Sequence, residues 1–190
     1  MEIRQRIIDS CRELAHKKGF RSLTVDEIAR WAGVSKRTVY RRFSSKDEIL
    51  EAVVDDFLQA VAQQSDQVIH SGQDVTMVMR QMMNYLITGD KSIISQRVLE
   101  DLSRYYPQLW QKIDDFRMDR IKLVIALAEQ QRSIRTEVDP LIFSTIILLA
   151  IKTIIDPEFL VKNQLNFQDA MEQLIAIFLP SLVLPSDHEP

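Results

Sequence analysis

Residues 24–46, TVDEIARWAGVSKRTVYRRFSSK, constrain the fold more tightly than any other stretch of the chain. Val25, Ile28, Ala29 and Ala32 recur at intervals of three and four, which makes one face of a short helix apolar and turns Asp26, Glu27 and Arg30 outward. Gly33 ends that helix, because a residue without a Cβ takes the left-handed turn conformation cheaply. Val34 fills the crossing, and Ser35 caps a second helix whose Val39 and Phe43 point to the core. Lys36, Arg37, Thr38, Tyr40, Arg41 and Arg42 are left on the outside. Two short helices at a tight turn, the second crowded with cations and hydroxyls, form a helix-turn-helix pattern suited to a DNA major groove. Thr24 with Glu27 predicts a capping box at its start, and Ser45 with Glu48 repeats the device at the start of a fourth helix.

The rest of the chain keeps the same period. In 190 residues the strict alternation of strands is almost absent and there are only 4 Gly and 6 Pro, so an all-α fold of about nine helices is expected. Ile3, Ile7, Cys11, Leu14 and Ala15 form the stripe of a first helix closed by Gly19. Later helices are predicted from Lys46 to about His70, Asp74 to Thr88, Ser92 to Arg104, Pro107 to Gln131, Leu141 to Ile155 and Phe167 to Leu179, with a loop between Pro157 and Phe167. The segment from Leu141 to Ile155 is apolar almost all round and must be covered on every side. A second copy of the last two helices is the expected cover, making a homodimer with Ile147, Ile151, Met171, Leu174 and Phe178 at its interface.

The net charge of -3 conceals an asymmetry. Residues 1–50 hold 12 Lys+Arg against 7 Asp+Glu, and residues 51–190 hold 12 against 20. A basic head on an acidic body suits a polyanion at one end only. The N-terminus lacks the apolar core of a signal peptide, and the run from Leu141 to Ile155 falls short of the roughly 20 apolar residues of a membrane span. A soluble cytoplasmic protein with no membrane partner is the expectation. Cys11 cannot form an internal disulfide and reads as a buried apolar side chain. His16, His70 and His188 are scattered, and there is no HExxH, no paired-Cys spacing, no phosphate-binding Gly-rich loop and no nucleophile elbow. Catalysis, a metal and a cofactor are therefore not expected.

The run RELAHKKGFRSLTVDEIARWAGVSKRTVYRRFSSKDEIL resembles the N-terminal domain of the TetR/AcrR family of transcriptional regulators almost position by position. Its specific core is carried by Ala32, Gly33, Val34, Ser35, Thr38, Val39, Tyr40, Phe43, Ser45, Lys46, Glu48, Ile49 and Leu50. Arg37 departs from the Gly of many members, and Arg42 stands where His or another residue is often found. The resemblance implies a three-helix DNA-binding domain over 1–50, a helical ligand-binding and dimerisation domain over 51–184, and a flexible tail over 185–190. It also implies a homodimer, most simply a repressor, on a palindromic operator in double-stranded DNA.

Matched to this chain, Thr38, Tyr40 and Lys46 become phosphate-positioning residues, with Thr24 and Ser35 setting helix N-termini near the backbone. Lys36, Arg37 and Arg41 are the candidates for base contact, since Arg reads guanine bidentately, and Arg42 completes the cationic set. Met79, Met82, Met83, Tyr85, Tyr106, Trp110 and Phe116 fall on the helices that enclose a ligand cavity in the family, which implies a small hydrophobic or aromatic effector. A competing reading makes the head a non-specific DNA or protein binder.

Overall fold

The structure is a computed structural model and describes residues 2–89, 93–133 and 139–182. The described residues form ten α-helices and no strand. These are α1 (Ile3–Lys18), α2 (Val25–Trp31), α3 (Lys36–Tyr40), α4 (Lys46–Ile69), α5 (Val75–Thr88), α6 (Gln96–Tyr105), α7 (Pro107–Gln130), α8 (Pro140–Ile154), α9 (Pro157–Lys162) and α10 (Phe167–Leu182).

Three elements differ from expectation, the first being α6, which begins at Gln96 with Ser95 as its cap and not near Ser92. The segment after Pro157, predicted as a loop, is α9, because the Asp156 carboxylate accepts from the Glu158 and Phe159 amides and Pro157 takes the first helical position. Proline there ends one helix and starts the next, since its missing N–H is a donor that a first turn does not use. At the other end, α10 continues through Pro180 to Leu182 rather than stopping before it. The connector expected around Arg135 and the tail over 185–190 lie outside the described residues.

The chain divides into two compact units. The first comprises Met1–Ala60 with Asp90–Ile113. Ile7, Ile8, Cys11 and Phe20 from α1 and its turn, Ile28 from α2, Val39 and Phe43 from the α3 region, and Ile49, Leu50 and Val53 from α4 are all buried. Burial pushes the Cys11 thiol up to about 12, so it stays a neutral apolar filler at physiological pH. α6 belongs to this unit through Val98, Leu99 and Leu102, and it packs on α1.

Polar contacts fasten α6 to the turn after α1. Arg97 donates to the Lys17 carbonyl at 2.7 Å, and the Asp101 carboxylate accepts from the Arg21 amide at 2.8 Å. The Arg21 guanidinium lies 4.3 Å from the centre of the Tyr105 ring, and Phe20 meets Tyr106 edge-on at 6.5 Å. Gly19 has φ +80°, so its backbone conformation favours glycine, and a Cβ there would displace the Asp101 carboxylate. Beneath α1, the buried Arg12 guanidinium bonds Asp9 at 2.7 Å and also pairs with Asp56 of α4.

The second unit comprises Val61–Gly89 and Asp114–Pro190. Its core joins Val75 of α5, Ala128 of α7, and Phe143 and Ile147 of α8, with Met79, Ile121, Val124, Leu127, Ile151 and Phe178 packed around them. Phe143 and Phe178 meet edge-on with centroids 6.4 Å apart. Gln131 stitches the loop before α5 by donating to the Gln73 carbonyl at 2.7 Å and accepting from the Val75 amide at 2.9 Å.

On a single copy, the residues expected at a dimer interface mostly face the core of their own unit. Ile147 and Leu174 are buried inside the unit, Ile151 and Phe178 pack against the core, and Met171 is half-buried. The outward stripe of α8 is instead Leu141, Ile142, Ile146 and Leu149, joined on α10 by Ile177. A helix that is apolar all round gives no phase by which sequence could tell its inner face from its outer one.

Candidate nucleic-acid interface

The candidate interface is α3 and the residues that frame it. α2 begins at Thr24 with both halves of the capping box: the Glu27 amide donates to Thr24 Oγ1 at 3.3 Å and the Thr24 amide donates to Glu27 Oε2 at 3.0 Å. Thr24 Oγ1 also donates to Glu27 Oε2 at 2.8 Å, so the hydroxyl is engaged within the box. Lys18 pairs with the same carboxylate, and this bond together with those from Thr24 holds the Glu27 carboxyl down at about 2. The box therefore stays intact across the physiological range.

The turn is locked from two sides. Gly33 has φ +64°, and the Val34 amide donates back to the Ala29 carbonyl at 2.9 Å. Arg6 of α1 places its guanidinium on the Ala32 and Gly33 carbonyls, satisfying acceptors that the end of α2 leaves free. Farther along α1, Glu13 accepts from Trp31 Nε1 at 2.7 Å while the Lys17 ammonium sits 4.2 Å above the Trp31 ring. Sequence reasoning missed Arg6 because its partners are backbone carbonyls 26 and 27 residues away.

Ser35 caps α3, its Oγ accepting from the Thr38 amide at 3.1 Å and lying 2.9 Å from Thr38 Oγ1. Val39 and Phe43 are buried, which fixes the rotation of the short helix. Lys36, Arg37, Tyr40, Arg41 and Arg42 are consequently exposed, and Thr38 is half-buried. The α-helix itself ends at Tyr40; Arg41 and Arg42 occupy the turn that follows, held by amides bonded to the Arg37 and Val39 carbonyls. The cations and the Tyr40 side chain are thus open to solvent on α3 and the turn that follows it.

Two residues are more constrained than sequence suggested. Lys46 is half-buried, and its ammonium donates to the Arg21 carbonyl at 3.1 Å, with burial lowering its pKa. Lys36 is bound to Asp26 of α2 at 2.9 Å, a pair hidden from periodicity because it crosses the turn. The start of α4 also departs from expectation: the Glu48 amide donates to Ser45 Oγ at 3.1 Å, but the Glu48 carboxylate turns back to the Ser44 amide and hydroxyl. Only half of the second capping box forms around Ser45.

The residues expected to bind an effector fall in different units. Tyr106 and Trp110 belong to the first, and Met79, Met82, Met83, Tyr85 and Phe116 to the second. Met83 is buried, the others are half-buried, Met79 packs against the second core, and Phe116 lies 5.0 Å beneath the Arg120 guanidinium.

Residues 7–53 match the family described as bacterial regulatory proteins, tetR family. The HTH-type transcriptional regulator YvaF of Bacillus subtilis, itself uncharacterised, is 30% identical over 178 residues, spanning 91% of this chain and 92% of that protein. The nicotine-responsive repressor HdnoR of Paenarthrobacter nicotinovorans is 23% identical over 137 residues, covering 68% of this chain and 71% of the relative. Among solved structures, reduced E. coli NemR superposes with a TM-score of 0.71 at 13% identity, covering 97% of this chain and 100% of that one, a likeness of fold. Identity to YvaF extends across both units, and α2, the Gly33 turn and α3 stand within the matched segment. The chain belongs to the TetR family of DNA-binding transcriptional regulators.

Proposed function

We propose that this regulator is a homodimeric repressor that binds a palindromic operator and is released by a small hydrophobic or aromatic effector. The observation that carries the reading is the outward set on the α3 surface, Arg37, Tyr40, Arg41 and Arg42, presented by a helix whose rotation Val39 and Phe43 fix. Arg37 and Arg41 read base edges, with Lys36 beside them. Thr38, Tyr40 and Lys46 set the register on phosphate, with Thr24 and Ser35 at the capped ends of their helices. Dimerisation uses the stripe of Leu141, Ile142, Ile146 and Leu149 with Ile177, whose exposure on one copy leaves apolar surface that a second copy covers.

The effector binds in the second unit, among Met82, Met83, Tyr85 and Phe116, where flexible thioethers and aromatic faces adapt to apolar shapes. HdnoR, whose name records a repressor responsive to nicotine, supports both the sign and the responsiveness. Release requires the effector to bind the two conformations unequally, and a coupling of about 1–3 kcal/mol shifts DNA affinity roughly 5–150-fold.

The test is retention of genomic fragments by the purified protein, followed by titration of the retained and random duplexes at one salt concentration. A palindrome preferred by about a thousandfold or more supports the operator reading. Equal affinity for every duplex refutes it and leaves a non-specific DNA binder. Transcription from the retained promoter, measured with and without the gene, gives the sign.

A further inference from the structure

Asp26 is a carboxylate on the framework of a surface that binds a polyanion, and elementary electrostatics makes that a cost on every duplex. It stands in the first turn of α2, and its Oδ2 accepts from the ammonium of Lys36, the first residue of α3, at 2.9 Å. The side chains are 58% and 50% exposed, so the pair is open to solvent and adds little to folding. Stability is a poor reason for such a pair, whereas its position across the Gly33 turn joins the supporting helix to the reading helix.

We propose that Asp26 is a specificity-determining residue that acts through Lys36. The inference rests on the reading that α3 contacts bases. A lysine ammonium is a compact charge on a flexible four-carbon stem and pairs with any phosphate within reach. Bound to Asp26, it is confined to the α2–α3 junction, and moving to a phosphate means giving up a charge-assisted hydrogen bond. Asp26 thereby lowers affinity for DNA in general and reserves Lys36 for a base edge presented at the junction. It touches no base itself and is a positioning residue for the lysine.

The discriminating experiment is selection from a randomised duplex library with the full-length protein, sequenced for wild type, Asp26→Asn, Lys36→Ala, the double variant and Asp26→Glu. Salt titrations on random duplex and a thermal melt of each protein accompany it. The wild type shows preferred bases, and Lys36→Ala flattens preference at particular positions. Asp26→Asn flattens preference at those same positions by about two- to fivefold, the range that an exposed ion pair supports. It also binds random duplex more tightly, with a log–log salt slope steeper by about 0.9 as Lys36 gains a phosphate. The double variant matches Lys36→Ala alone, and Asp26→Glu restores the wild-type pattern.

A dipole or folding role for Asp26 predicts a changed melt with base preferences untouched, and that result overturns the proposal. Altered preference at positions that Lys36→Ala leaves alone does so too. If Lys36→Ala changes no base preference while the wild type still selects an operator, the base-reading role of Lys36 fails and the repressor reading survives. A wild type that selects nothing defeats both.

Discussion

Ile146 and Ile147 are neighbours in sequence with opposite surroundings, and the proposed dimer turns on the difference. Ile146 is 53% exposed on the single copy, whereas Ile147 is 6% exposed within the Val75, Ala128 and Phe143 core. Burying a whole isoleucine side chain is worth about 1.5–3 kcal/mol, so covering the exposed half of Ile146 contributes about 0.8–1.6 kcal/mol per copy. Two-fold symmetry doubles this to about 1.6–3.2 kcal/mol, and Ile146→Ala then raises the dimer dissociation constant about 15- to 200-fold. The same substitution changes protomer stability by less than about 0.5 kcal/mol. Ile147→Ala reverses the pattern, because it opens a cavity in the core at a cost of about 2–5 kcal/mol. Sedimentation equilibrium over a range of concentrations measures the first quantity, and urea unfolding extrapolated to the monomer measures the second. Dissociation of Ile147→Ala without loss of stability, or an Ile146→Ala protein that unfolds early with its dimer intact, would refute the assignment of inner and outer faces.

Three further outcomes follow from the same contacts. Glu27 has a carboxyl held at about 2 against an ordinary 4.5, so its contribution is fully present above the unfolded value and is lost as pH falls toward 2. Glu27→Gln accordingly narrows the difference in melting temperature between pH 7 and pH 3, and a difference as wide as in wild type contradicts the role of the box. Arg12→Met strips the buried guanidinium from the half-buried Asp56 carboxylate, which keeps Gln5 as a donor, and costs about 1–3 kcal/mol in urea unfolding; a loss below about 0.5 kcal/mol shows that the pair is solvated. Tyr40→Phe and Lys46→Ala weaken binding to operator and random duplex alike, the latter lowering the salt slope by about one, and a selective loss on operator alone removes them from the phosphate set.

The local parts of the fold were the legible ones. Period and caps located α1 through α5, because Thr24, Ser35 and Asp74 each accept amides one turn ahead and Gly33 takes positive φ. The orientation of α3 was equally open to reading, since Val39 within it and Phe43 just after it stand four residues apart and are both buried. Legibility stopped where partners are distant in sequence or where pattern carries no phase. Asp26 and Lys36 are ten residues apart across a turn, and Arg21 and Tyr105 are 84 apart, so neither pair leaves a periodic trace. α8 shows the second limit: with Leu141, Ile142, Phe143, Ile146 and Ile147 all apolar, only packing reveals that Phe143 and Ile147 turn inward.

The first unit is discontinuous in the chain, and this bears on how such regulators can be recombined. A cut after residue 50 carries away the helix-turn-helix but leaves behind Arg97, Asp101, Tyr105 and Tyr106, which hold the turn between α1 and α2. A chimera made there inherits whatever the recipient protein offers in place of those four side chains. The portable module of this protein is two segments of polypeptide, 1–60 and 90–113, and exchanging one without the other transplants the letters of a DNA reader without its hinge pin.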